Sequence, residues 1–511
     1  MKINDIPPNI IKRIPFNHFM YEAKYCIVPI FALLMVLFVS SCGGGTGGPA
    51  TSAYKMTNTG NKIYILSPQW GIVTGIDMNS LSLNTYSVGQ GANLIMPAHN
   101  NVVVLNPTEN AVYIIAGNTV IKKTVAANLN SMVVSSDGSH AVVYHNYIPG
   151  EEAYFNGILV LNTFSIVNLT TTTDDTVSLS IGSGAPQQVV FTPAGDKIIV
   201  ISRNQCFVVP TETPFANHYI ELWPNPSQVV VPDQVVVTPQ GDMALVRSEA
   251  QNSVYVINLL TPSISNVLTE NQPTQISMFP DGNMAMIMNA GSESIGVLGI
   301  DHNALTIYEQ SVNISTQADT IATAFSCTGA CSSSTAVYSA LAYSPTSSAT
   351  AITYLRVQNG IISATVFGDL SAPVNSIIFV PDSPSKALII HNNPNSPASA
   401  YAMSLIDVDA QRVNPFFIQG APSSILFAKQ QDGDELVFMT LTLNNELVYY
   451  DLVSGATGRI ELPASPDTLG LTGNTLFVLH DQPLGFITLI DINTFVQRYV
   501  NGFNVYKLFN R

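Results

Sequence analysis

Charge is scarce in this 511-residue sequence. Only 10% of residues are Asp, Glu, Lys or Arg, and the acidic ones outnumber the basic by 34 to 19. The formal charge of -15 repels phosphate backbones and anionic headgroups, so no nucleic acid is expected as a partner. Helical periodicity is missing as well. No segment keeps apolar residues at a 3.6-residue spacing between caps. Valine, isoleucine, threonine, serine and asparagine dominate over lysine and glutamate, which favours strands and turns. The common enzyme signatures are absent too. There is no Cys-x-x-Cys-His, no His-Glu-x-x-His, no Gly-x-Ser-x-Gly elbow and no phosphate-cradling Gly-Lys loop. What is plentiful is apolar residue content, 46%, which excludes a disordered chain and fits buried β-structure.

A repeat organises the chain. PQQVVFTPAGD (186–196), PDQVVVTPQGD (232–242) and PTQISMFPDGN (273–283) share a Pro nine residues, and a Gln seven residues, before the turn glycines Gly195, Gly241 and Gly282. With that turn as a marker, about ten units follow one another, opening near residues 57, 99, 135, 192, 238, 279, 319, 380, 430 and 472. In the seventh, CTGAC replaces the Pro-x-Gly turn. A period of 40–50 residues points to propellers or solenoids. Each unit reads as three or four short antiparallel strands, several of them apolar on both faces. The expected fold is therefore all-β: a β-propeller of three- to four-stranded antiparallel blades, eight to ten of them in one ring. A β-solenoid is the alternative, with coils usually shorter than these units. Two smaller rings would need a central linker, and the sequence has none.

The motif P-x-x-V-x-F-x-P-D-G, a strand, a polar residue and a V-x-V-I-D/N strand resembles the YVTN-type β-propeller family. The match is best over 185–260 and 273–301 and looser across 53–503. The resemblance implies the propeller fold. Members include lactone hydrolases, haem- and quinone-associated redox subunits, and surface proteins without chemistry. Many have seven blades, so about ten units is a departure.

The chain opens differently. Lys24 precedes an apolar run over 26–39, too short for a comfortable membrane span and suited to a signal-peptide core. Val39, Ser40 and Ser41 before Cys42 resemble the bacterial lipobox. The resemblance implies cleavage before Cys42 and lipid (palmitate-type acyl chains) on that residue; the alternative is a transmembrane anchor with an incidental cysteine. No aspartate follows Cys42, which by the same resemblance implies the outer membrane. The expected division is a signal peptide over 1–41, a lipidated Cys42 with a Gly-rich tether over 42–52, and the propeller over 53–511. The lead before Met20 is long for a signal peptide, which makes Met20 an alternative start. Residues 1–41 hold Lys2, Lys12, Arg13 and Lys24 but only Asp5 and Glu22, so the remainder carries 15 basic against 32 acidic residues.

Candidate site residues follow from the repeat. The first strand of a blade lines the central channel, which sets Gln188, Gln234, Gln275 and Asn375 near one channel mouth, with Ser131, Ser424 and Thr468 as weaker equivalents. They are either a polar rim for a small ligand, sugar or peptide, or ties between blades. Arg203 and Arg247 are the basic candidates near that face. Seven residues after the turn stands a second column: Ser67, Asn106, His145, Ser202, Ser248, Asn289, His391, Thr440 and His480. Its three histidines suggest a metal, but they fall in units that are not all adjacent, and a metal needs tight convergence. The alternative is strand-end residues that hydrogen-bond the loops. Cys327 and Cys331 read as a disulfide staple in an oxidising compartment, and Cys206 as a small buried residue. Asp174–Asp175 and Glu151–Glu152 read as solvated loop pairs.

No catalytic residue, metal or cofactor is assigned. The reading is a non-catalytic binding or scaffold module, held to the membrane through Cys42 and facing a protein or polysaccharide partner. The alternative is a lactonase-like hydrolase or redox-accessory propeller with a site at the channel mouth.

Overall fold

The computed structural model describes residues 56–146, 162–181, 185–202, 205–222, 232–327, 331, 335–392, 401–441, 445–480 and 485–503. Cys42, the segments before and after it up to residue 55, Glu151–Glu152 and Arg203 lie outside the described residues.

Forty strands form ten four-stranded antiparallel sheets, each a meander in chain order. These are ten blades, spanning 56–87, 94–124, 131–180, 188–221, 234–268, 273–313, 320–367, 374–418, 422–461 and 466–501. Blade 5 is typical, with strands Gln234–Val237, Met243–Ser248, Ser253–Asn258 and Ser263–Leu268. Its second strand is buried throughout and its fourth almost wholly exposed. The pattern follows from position. The inner strands are covered on both faces by neighbouring blades and so read as continuous apolar runs, while the fourth strand is the rim. First strands of successive blades lie side by side around the axis, as Gln234–Val237 does beside Pro273–Met278.

The turn motif has a local cause. In blade 5 the Thr238 hydroxyl donates to Asp242 Oδ1 at 2.6 Å and accepts from the Met243 N–H at 3.1 Å. Gly241 between them has φ +72°, a conformation other residues adopt only with strain. Thr192, Gly195 and Asp196 repeat the arrangement in blade 4. In blade 7, where the Pro-x-Gly turn is replaced, Cys327 and Cys331 are joined in a disulfide with Cα atoms 5.6 Å apart.

Ten apolar clusters fill the ten interfaces, and each is shared by two successive blades. The tenth joins the last blade to the first: Ile63, Ile65 and Ile76 pack on Phe477, Leu479, Ile487 and Leu489. One ring therefore accounts for the whole body, not a solenoid or two rings. Each such buried Ile, Leu or Phe contributes about 1.5–3 kcal/mol relative to exposure. Blade 1 takes its four strands from the start of the described chain and blade 10 takes its four from the end. Among the described residues no strand is exchanged at the closure. The seam is held by packing and by a hydrogen bond from Asn58 Nδ2 to Thr472 Oγ1 at 2.7 Å.

Candidate functional site

The amides of the first-strand glutamines are engaged with neighbouring blades. Gln275 Nε2 donates to the Ile321 carbonyl at 3.0 Å and its Oε1 accepts from the Ile321 N–H at 3.0 Å. Ile321 lies on the first strand of blade 7, so the amide spans two blades in the manner of a backbone pair. Gln234 makes the same clasp on blade 6. Gln188 Nε2 reaches the Pro232 carbonyl at 3.4 Å, while its buried Oε1 has no hydrogen-bond partner.

Asn375 is offset from these three. The ladder pairs Gln275 with Met288 and Ser376 with Ile390, with a bulge between Val374 and Ser376. Asn375 occupies the bulge and corresponds to Thr274, one residue before the glutamine position. Blade 6 has the same bulge at Thr274, so the offset comes from the turn: blade 8 has no glycine there, and its left-handed residue, Asp382, stands two residues after Val380 where Gly282 stands three after Phe279.

Arg247 lies opposite Gln234 on the second strand of blade 5 and is buried. Its Nη1 donates to the Pro273 carbonyl of blade 6 and lies 3.6 Å from Asp233 and 3.8 Å from Glu249. Burial pushes its pKa down, and the two carboxylates oppose that shift. Arg247 is thus a buried link between blades.

Four residues of the second column, Asn106, His145, His391 and His480, close crossovers between blades. Asn106 Nδ2 donates to the carbonyls of Val88 and Gln90, in the connection entering blade 2. His145 Nδ1 meets the Asn128 carbonyl at 2.9 Å, in the connection entering blade 3. His391 Nδ1 donates to the Ala372 carbonyl at 2.8 Å and its Nε2 accepts from Ser404 at 2.8 Å. His480 does likewise, with the Ala464 carbonyl at 2.9 Å and Thr488 at 2.7 Å. A carbonyl can only accept, so Nδ1 carries the proton and Nε2 takes the hydroxyl hydrogen. Both rings are fully buried, and burial pushes both pKa values down. The three histidines serve three separate blades and do not converge. Among the described residues no group of three or more His, Cys, Asp or Glu side chains is placed to hold a metal. Cys206 is buried, which pushes its thiol pKa up.

Several engaged side chains were not legible in the sequence. Lys123, on the outer strand of blade 2, is fully buried and donates to Thr171 Oγ1 at 2.7 Å and Asp175 Oδ1 at 2.6 Å. Asp174 accepts from the Thr124 N–H. Asp174 and Asp175 are exposed loop carboxylates, but not without partners: they bind blade 3 to blade 2. The sole hint was a second lysine in TVIKKT, on the face that alternation turns inward.

Glu270, in the connection entering blade 6, and Glu309, on that blade's fourth strand, also lie close. Glu270 accepts from Ser294 Oγ at 2.7 Å, and hydroxyls of Ser311 and Ser294 hold its carboxyl low. Glu309 sits over Gly296, where a Cβ would collide with it, and one of its oxygens is buried without a hydrogen-bond partner. Burial and the Glu270 charge push it up. A shallow cleft of about 380 Å³ between blades 8 and 9 is lined by Lys386, Asp407, Arg412, Tyr450 and Ser454.

Large apolar side chains are exposed on the face formed by the turns between third and fourth strands. Phe215 and Leu260 do this in adjacent blades 4 and 5, Val453 and Val496 in adjacent blades 9 and 10.

A scan of family models and a search of curated proteins give no match. Among solved structures, the chain is similar to the dihydro-heme d1 dehydrogenase NirN in complex with DHE (9% identity, 90% of this chain and 77% of that one, TM-score 0.44). It is also similar to a eukaryotic initiation factor (13%, 88% and 98%, TM-score 0.49) and to the Dos1 propeller (14%, 62% and 83%, TM-score 0.39). These likenesses concern the fold alone and carry no activity to this chain: what belongs to it is a ten-bladed β-propeller.

Proposed function

We propose that this chain is an exported propeller of the YVTN type, anchored by lipid on Cys42 at the outer membrane, and that it works as a non-catalytic binding or scaffold module for a protein or polysaccharide. One observation carries the reading. Four of the polar groups that recur around the ring are spent inside it: Gln234 and Gln275 on neighbouring blades, His391 and His480 on crossover carbonyls and hydroxyls. A histidine with both ring nitrogens engaged and its charged form disfavoured is poorly suited to proton transfer or metal ligation. The individuality of the blades lies instead in exposed loop residues such as Phe215, Leu260, Val453 and Val496. Exposed apolar groups rimmed by polar ones suit a macromolecular partner. The YVTN assignment is supported by the Thr-Pro-x-Gly-Asp turn and its hydroxyl–carboxylate lock.

The test has two arms. A Cys42→Ser variant is expected to leave the membrane fraction; one that stays membrane-bound after signal cleavage overturns the anchor. A Phe215→Ser, Leu260→Ser, Val453→Ser, Val496→Ser variant is expected to keep its melting temperature and lose the envelope component captured by the wild type. Equal capture by both proteins overturns the proposed binding face.

A further inference from the structure

The rim of the ring contains one strand built unlike the other nine. The fourth strand of blade 7, Ile361–Phe367, reads IISATVF. It ends its sheet, and among the described residues nothing pairs with its outer edge. Native edge strands are normally blunted by charge, proline or shortness, because a free row of N–H and C=O groups templates another strand. Six of the other rim strands follow that rule by carrying charge. Blade 2 carries Lys122 and Lys123, blade 6 carries Glu309, and blade 8 carries Arg412 and Pro415. Leu83–Ser87, Val177–Ser180 and Ser263–Leu268 are uncharged but shorter. Ile361–Phe367 has no charge and no proline over seven residues, and its Ile361 and Val366 are 69% and 49% exposed.

Its sequence is also symmetric about Ala364. Reversed, it still reads apolar, apolar, hydroxyl, Ala, hydroxyl, apolar, apolar. The backbone geometry matches this centre. Asn359 and Gly360 form a two-residue turn with φ +54° and +71°, the mirror-image type that joins Gln358 to Ile361 as a hydrogen-bonded pair. Alternation then turns the backbone groups of Ile361, Ser363, Thr365 and Phe367 toward the third strand. Those of Ile362, Ala364 and Val366 point outward. A two-fold axis at Ala364 sets Ile362 against Val366 of a second copy and Ala364 against itself. Every outward-facing residue then meets an outward-facing residue, giving about six hydrogen bonds. Ser363 meets Thr365 on the alternate face, a pairing that itself stabilises strands. Shifting the centre by half a step would set outward groups against inward ones.

We propose that Ile361–Phe367 is a homodimerisation edge, on which a second copy of this chain adds antiparallel through the same strand about Ala364. Charge points to a copy rather than to another protein. Two chains of net -15 repel wherever their acidic surfaces face each other, and this edge is a place where they meet without charge. The nearest cation, Arg356 on the third strand, is already paired with Asp409 at 3.0 Å. The interface is isologous and closes at two. A single strand pair is at the small end of interface sizes, so the dimer is weak and concentration-dependent.

Sedimentation of the full chain in detergent tests this, up to roughly 100 μM, a range that detects weak pairs. The wild type is expected to show a reversible dimer. Ala364→Pro removes an N–H that faces outward and leaves the ladder to the third strand intact, so it is expected to weaken the dimer at least about tenfold without lowering the melting temperature. Ala364→Lys sets two like charges on the axis and is expected to do the same. Ala364→Cys is expected to cross-link between copies, because paired Cα atoms at about 5.5 Å suit a disulfide. Tyr308→Cys, on the exposed rim of blade 6, is expected not to. A monomeric wild type, a dimer indifferent to both Ala364→Pro and Ala364→Lys, open-ended oligomers, equal cross-linking at Tyr308, or a stable complex through this edge with a different protein each overturns the proposal.

Discussion

Gln234 holds Ile276 from both sides: its Nε2 donates to the Ile276 carbonyl and its Oε1 accepts from the Ile276 N–H, each at 2.8 Å. One side chain thus stands in for a strand that the channel has no room for, and satisfies two backbone groups at the inner edge of the next blade. Gln234→Leu leaves both without a partner in a half-buried setting. The expected cost is about 1–3 kcal/mol, read as a lower denaturant midpoint with unchanged slope. Gln188→Leu, whose clasp is half made, is expected to cost less. Equal losses at the two sites would count against the clasp.

Acid should loosen the crossovers at His391 and His480. Burial lowers both pKa values in the folded state below the ordinary 6.5. The unfolded chain therefore binds more protons than the folded one in the window below 6.5, so stability falls as pH drops through it. Above 6.5 the contribution is constant. A His391→Asn, His480→Asn variant is expected to show a flatter melting temperature between pH 7 and pH 5. A pH profile identical to the wild type would mean these rings do not titrate on unfolding.

Lys123 and Asp175 are an unequal pair, the ammonium wholly buried and the carboxylate 35% exposed. Removing the carboxylate leaves the buried cation with only the Asn168 carbonyl and the Thr171 hydroxyl, whereas removing both charges leaves no buried charge to compensate. Asp175→Asn is expected to destabilise by about 1–3 kcal/mol, discounted for the exposure of the carboxylate. Lys123→Met with Asp175→Asn is expected to recover most of that loss. Additive losses in this double-mutant cycle would show that the two act independently.

The propeller was legible because it repeats: TPQGD at Thr238 and TPAGD at Thr192 are the same hydroxyl–carboxylate turn, and a pattern seen several times outweighs any single ambiguous strand. Counting those turns bounded the blades at eight to ten, and the structure has ten. What stayed hidden was whatever depends on contacts between blades. The second lysine of TVIKKT and Asp175 are 52 residues apart, and only the docking of blade 3 on blade 2 brings them together. Asn375 was offset by one because the turn of blade 8 lacks the marker glycine and places its left-handed residue, Asp382, one position earlier than Gly282 stands in blade 6. Gln234 and Gln275 were legible as recurring first-strand positions, but that their amides clasp a neighbouring blade is decided by the spacing between blades, which a sequence does not carry.

The seam between blades 10 and 1 differs from the other nine interfaces in one respect: no crossover joins the blades it separates. Elsewhere a parted interface remains tethered by a few residues of chain, and reclosing has little entropy to overcome. At the seam the blades are held by the packing of Ile63 and Ile65 on Phe477 and Leu479, and by Asn58 on Thr472. In a nearest-neighbour array the easiest opening lies where one interface term, and nothing else, must be broken. Leu479→Ala removes part of that term, about 2–5 kcal/mol. Native-state hydrogen exchange is therefore expected to accelerate about 30-fold or more in the second strands of blades 1 and 10, Lys62–Ser67 and Thr475–His480. Leu245→Ala, in the tethered interface between blades 5 and 6, is expected to lower global stability by a similar amount without singling out its own blades. If the two variants gave the same distribution of exchange around the ring, the seam would be no weaker than any other interface, and the ring would open as one cooperative unit.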